Sequence, residues 1–180
     1  MKNAKKKAVA LALAVLALVI TGCIVSGTFT TEVLIVNADF NNNGTFYYYM
    51  IDLTEDDVWE DHSDKLEFID HVGFEMWFSS SAGSNMVFDA YLDNAGDPLL
   101  STPAEVEANA TQVLDGITLT PGDDQHITYG QSFKYITNFD TMRDLVETGG
   151  FRFYGISSEG SGSFTIDSVR VVITFTASES

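Results

Sequence analysis

The chain has 180 residues, 26 of them acidic and 9 basic, for a formal charge of −17 at neutral pH. That sign argues against a partner built of phosphate, because nucleic acids are gripped by lysine and arginine, and against attraction to anionic headgroups by surface charge. A single cysteine, Cys23, rules out an intramolecular disulfide and a thiolate metal cluster, so the fold has to be held by its apolar core.

Residues 1–22 have the organisation of an export signal. Lys2, Lys5, Lys6 and Lys7 make a positive start, and Ala8 to Ile20 is an uncharged apolar run. At about 13 residues the run falls short of the ~20 that span a bilayer as a helix, and small residues follow it, as in a cleavable signal peptide. Ile20-Thr21-Gly22-Cys23 resembles the lipobox of bacterial lipoproteins, which also occurs in some archaea. The resemblance implies that the Cys23 thiol receives a diacylglycerol and that a peptidase cuts between Gly22 and Cys23. It also implies a place in the cell envelope, facing the periplasm or the exterior and attached to a membrane by lipid. Removal of residues 1–22 takes four lysines and no acid, leaving 158 residues with 5 basic and 26 acidic side chains, a formal −21. A chain of this length is expected to make one domain. The divisions expected are a signal peptide over 1–22, a lipidated polar tether over 23–28 and a single domain over 29–177.

Beyond the tether the pattern is that of strands. Phe29, Thr31, Val33 and Ile35 alternate, and Phe46 to Ile51 is apolar on both sides. With Asn41-Asn42-Asn43-Gly44 between them, a strong turn signal, residues 28–52 read as a hairpin. Val72, Phe74, Met76 and Phe78 share one face of another strand, with Glu75 and Trp77 opposite. A Ser/Gly loop over 79–85 leads to Met86, Phe88, Ala90 and Leu92, followed by a turn over Asp93 to Pro98. Residues 101–112 are ambiguous. Val113, Ile117 and Leu119 suggest a strand, and residues 126–136 suggest another. Phe151 and Phe153 alternate with Arg152 and Tyr154, and a turn is expected at Gly160 to Ser163. After Phe164 and Ile166 the apolar parity shifts to Val169, Val171, Ile173 and Phe175, which predicts a bulge at Asp167-Ser168. About eight short strands rich in β-branched and aromatic residues indicate an all-β sandwich, jelly-roll-like or immunoglobulin-like. One or two short helices interrupt it. Thr54 is placed to cap the first, before Val58 and Trp59. Thr137 or Asn138 caps the second, in which Phe139, Met142, Leu145 and Val146 share a face and Gly149 is placed to end the helix.

Candidate sites are few. Acids are densest around Asp56, Asp57, Glu60 and Asp61, oxygen ligands of the kind Ca²⁺ favours, but without the spacing of an EF-hand loop; Ca²⁺ is the one cofactor considered. The turn Asp93 to Asp97 also offers oxygens and reads equally as a plain turn. His62, His71 and His126 show no metal-ligand spacing. No G-x-S-x-G elbow occurs, and a carboxylate pair for glycoside hydrolysis leaves no trace in sequence, so no enzyme is expected. Tyr47, Tyr49, Trp59 and Trp77 are flat apolar surfaces of the type that stacks on sugars. Phe164-Thr165-Ile166-Asp167-Ser168-Val169-Arg170-Val171 resembles the closing strand of jelly-roll carbohydrate-binding modules, which bears on fold more than on ligand. Two readings follow: a non-enzymatic envelope lipoprotein with a structural or protein-binding role, and a surface module for polysaccharide that uses exposed aromatics and Ca²⁺.

Overall fold

The computed structural model describes residues 25–36, 46–80, 84–122, 124–158 and 164–179. The signal peptide, Cys23 and the turns expected at Asn41–Gly44 and Gly160–Ser163 lie outside them. Eight strands are described: β1 Val25–Val36, β2 Phe46–Asp52, β3 Leu66–Ser80, β4 Met86–Asn94, β5 Thr111–Leu119, β6 Gln125–Ile127, β7 Gly150–Ser158 and β8 Phe164–Glu179. Four short helices connect them: α1 Asp57–His62, α2 Pro103–Asn109, α3 Tyr129–Ser132 and α4 Phe139–Glu147. None is long and apolar enough to cross a membrane.

The strands form two antiparallel sheets, β1-β8-β3-β6 and β2-β7-β4-β5. Apart from β4 and β5, consecutive strands lie in different sheets. This is jelly-roll order, built of two Greek keys, and not the immunoglobulin arrangement. Alternate residues face inward from both sheets. Val72, Phe74, Met76 and Phe78 of β3 and Met86, Phe88, Ala90 and Leu92 of β4 are all buried. The bulge falls where parity predicts it. Ser168 pairs with Trp77 and Ile166 with Phe78, leaving Asp167 as the extra residue, so Ile166 and Val169 both reach the core.

The hairpin expected over 28–52 does not form. β1 pairs with β8 along all twelve of its residues, whereas β2 pairs with β7 in the other sheet. A twelve-residue match outweighs a local turn limited by the seven residues of β2. Nor are residues 25–28 a tether: they are strand, paired with Glu179 to Thr176.

The helices differ from expectation in their caps. Asp56, not Thr54, starts α1, with Oδ1 accepting from the Trp59 amide at 3.0 Å. Asp52 accepts from the Thr54 amide and caps a 3₁₀ turn over Leu53–Glu55. The ambiguous stretch 101–112 is α2 followed by the start of β5. Thr102 accepts from the Glu105 amide, Glu105 accepts from the Ser101 amide, and Pro103 opens the helix, so the sequence does carry a start signal there. Within 126–136 only β6 is strand, and Thr128 with Gln131 caps α3 at once. The fourth helix, α4, matches expectation in its apolar face and in Gly149 beyond its end at φ 78°, but Asn138, at the N-cap position with φ 50°, makes no capping hydrogen bond and donates its side-chain amide to the Gln112 carbonyl at 2.8 Å.

A second, smaller core lies outside the second sheet. There α2 and the chain before it cover Phe46, Tyr154 and Ile156 with Val106 and Leu100. This makes β7 buried on both faces and tightly packed. A Cβ on Gly155 would lie 2.6 Å from the ring of fully buried Phe88. Gly155→Ala is therefore expected to destabilise the protein by about 1–3 kcal/mol in urea unfolding; an unchanged midpoint would contradict this packing.

Candidate functional site

Outward-facing residues of the first sheet form a chain of polar contacts across four strands. Glu32 on β1 lies 3.7 Å from Arg170 on β8, Arg170 lies 3.4 Å from Glu75 on β3, and Glu75 lies 2.8 Å from His126 Nε2 on β6. Strand register produces it by setting Arg170 opposite Glu75 and His126 opposite Trp77. The Trp77 and His126 rings stack at 4.5 Å and 9°. Each of these pairs is partly exposed and adds at most about 1 kcal/mol, yet the Glu75–His126 contact and the Trp77–His126 stack help fasten a strand only three residues long. Beside the stacked rings lies a cleft of about 350 Å³ lined by Asp124, Gln125, Asp167 and Ser168. An aromatic wall with carboxylate, amide and hydroxyl groups is a surface for holding a polar ligand that has an apolar face.

The aromatics singled out in the sequence do not assemble into one platform. Tyr47 and Trp59 are each 2 % exposed and belong to the main core, a correction to their expected place at the surface. Trp59 packs edge-on against Phe175 at 5.5 Å, and burial pushes the Tyr47 hydroxyl above the usual tyrosine range. Tyr49 is exposed at the β2 edge and Trp77 is half-buried on the other sheet. The candidate acids also stay apart. Asp56 is occupied as a helix cap, while Asp57, Glu60 and Asp61 are exposed on α1. Among the described residues no group of three or more His, Cys, Asp or Glu is placed to hold a metal ion. His62 stacks on Phe29 at 3.8 Å.

Sequence reasoning missed a buried polar network at the end of β4. Arg152 Nε donates to Asp93 Oδ1 at 3.0 Å, and its Nη2 donates to the carbonyls of Asn94 at 2.8 Å and Asp97 at 2.6 Å. The Tyr154 hydroxyl donates to Asp93 Oδ2 at 3.1 Å and accepts from the Leu100 amide at 3.3 Å. Arg152 and Asp93 are nearly inaccessible. Burial holds the Asp93 carboxyl above the usual range, although Arg152 and Tyr154 pull it down. The turn at Asp93–Asp97 is thus fixed from inside by an arginine and works as a structural clamp. A signal was present: Arg152 is one of five cations after residue 22 and sits between Phe151 and Phe153.

No protein-family pattern matches the sequence, and no curated protein matches it. Solved structures similar to it include dimeric latent PorU from Porphyromonas gingivalis, with TM-score 0.39 and 11% identity over 86% of this chain, which spans 13% of that one. Tobacco necrosis virus gives TM-score 0.39 and 13% identity over 87% of this chain and 98% of that one. The Gx strain of infectious bursal disease virus gives 0.35 and 14% over 86% and 38%. At these scores and identities the likenesses carry no argument about function.

Removing Arg152 leaves a buried carboxylate without its counter-ion. Arg152→Met is expected to cost about 3–5 kcal/mol near neutral pH, and Asp93→Leu/Arg152→Met much less than the two single losses combined. The sign with pH follows from the raised Asp93 carboxyl, which Arg152→Met raises further. A folded-state pKa above the unfolded value favours folding at low pH and loses that contribution as pH rises through the carboxylate range. The Arg152→Met penalty should therefore grow with pH. Urea titrations of the variant at mildly acidic and neutral pH check this; a penalty that shrinks as pH rises would contradict it.

Proposed function

We propose that this chain is an exported lipoprotein, held at a cell-envelope membrane by lipid on Cys23, whose acidic jelly roll is a binding module and not an enzyme. The reading is carried by one juxtaposition: the sole cysteine closes Ile20-Thr21-Gly22-Cys23, and the first strand opens at Val25, two residues later. Two residues reach about 7 Å, and β1 is locked into its sheet from its first residue. An acyl group on Cys23 therefore couples to a rigid sheet end and not to a free tether. The end of the sandwich carrying Val25, Leu66 and Ala177 then faces the bilayer, with the rest of the acidic domain projecting from it. With a formal −21 on the processed chain, attachment rests on lipid and not on headgroup charge.

A second reading, polysaccharide binding with or without Ca²⁺, is favoured by the Trp77–His126 cleft alone. Retention on a polysaccharide panel with and without EDTA tests it, and Trp77→Ala should abolish any retention. For the primary reading, Cys23→Ser is expected to remove lipid labelling and release the protein from membranes. A variant that stays membrane-bound with residues 1–22 uncut would overturn it, because the apolar run would then be the anchor.

A further inference from the structure

Four strands border the two described sheets, and two of the borders are guarded. β6 is three residues long. The β5 edge is covered by the chain after α3: Leu114 bridges Ile136, the Asp115 amide donates to the Tyr135 carbonyl, and the Thr137 amide donates to the Val113 carbonyl. β1 is also an open edge among the described residues, yet its exposed side chains are mainly polar: Ser26, Thr28, Thr30 and Glu32. β2 differs. Among the described residues it pairs with β7 alone, and its sequence Phe-Tyr-Tyr-Tyr-Met-Ile-Asp has none of the lysines, prolines or bulges that normally blunt an edge. Tyr48, Tyr49 and Met50 are 37%, 38% and 47% exposed. A groove of about 310 Å³ separates this edge from β1. Leu34, Tyr49 and Met50 give it apolar surface, and Glu32, Asp52, Glu55 and Asp56 line it with carboxylates. Arg170, the cation beside Glu32, is shared with Glu75.

We infer that the β2 edge takes up an extended segment of another protein as a fifth strand, and that this segment alternates apolar with basic residues. Side chains of a strand alternate between faces. One set of the incoming strand lies over Tyr48 and Met50; the other turns toward Tyr49 and the groove, where Glu32 and Glu55 lie. Backbone hydrogen bonds supply affinity, and the alternating side chains supply selectivity. A second copy of this chain fits poorly, because joining two β2 edges brings two identical sets of carboxylates together in a protein of net charge −17. The inference deepens the proposed binding role but does not depend on acylation, so Cys23→Ser should bind the segment as the native protein does.

The test uses the full-length chain in detergent and a synthetic peptide alternating lysine and valine. Binding followed by anisotropy should weaken with salt, and hydrogen exchange should show new protection across residues 46–52. A lysine–proline peptide, which lacks half the amide donors, and a glutamate–valine peptide should bind weakly or not at all. Glu55→Lys, an exposed change checked by circular dichroism, should lower affinity about tenfold. Equal binding of either control peptide, no protection over 46–52, or self-association through β2 in place of peptide uptake would overturn the inference.

Discussion

The first sheet depends on β8. This strand lies between β1 and β3 and pairs with both along most of its sixteen residues. Its partners come from the start and the first half of the described chain, so the sheet closes only when distant segments meet. Loop closure of this kind raises the entropic cost slowly with length but slows folding, and with a single cysteine no disulfide assists it. Burial has to compensate. Ile173, Phe175 and Ala177 are fully buried along β8, and a large apolar side chain contributes about 1.5–3 kcal/mol when removed from water. The bulge at Asp167 lets the strand keep its apolar residues inward on both sides of the kink. Among the described residues β1 has no other strand partner, so one wall of the β1–β2 groove rests on β8.

The Asp93–Arg152–Tyr154 network serves the second sheet differently. Burial outweighs the ion pair in setting the Asp93 carboxyl, so the pair is a poor source of net stability. It contributes geometry: three backbone segments are tied to one guanidinium and one phenol, and the chain leaving β4 is directed over the outer face, where α2 forms the smaller core. That cover leaves the β2 edge exposed only from Tyr48 onward, because Phe46 lies beneath it.

Local period was legible in the sequence, and partner choice was not. β3, β4 and β8 were readable because buried side chains recur at every second residue, and α4 because an apolar face and a terminal glycine agree. The β1–β2 hairpin misled because Asn-Gly signals a turn without saying which strands it joins. Tyr47 and Trp59 were misplaced since an aromatic residue reads alike in a core and on a platform. α2 was overlooked although Thr102, Pro103 and Glu105 mark its start. The polar chain Glu32–Arg170–Glu75–His126 has no spacing to detect: strand register alone assembles it from four strands.

The first sheet and the β1–β2 groove form one mechanical unit if β1 is a full member of that sheet from Val25 onward. Native-state hydrogen exchange on the full-length protein measures this most directly. The account requires amides of residues 26–34 to exchange as slowly as those of residues 169–177, in one cooperative opening. Fast exchange over 26–34 beside a protected β8 would make the first strand a loose leash and contradict it.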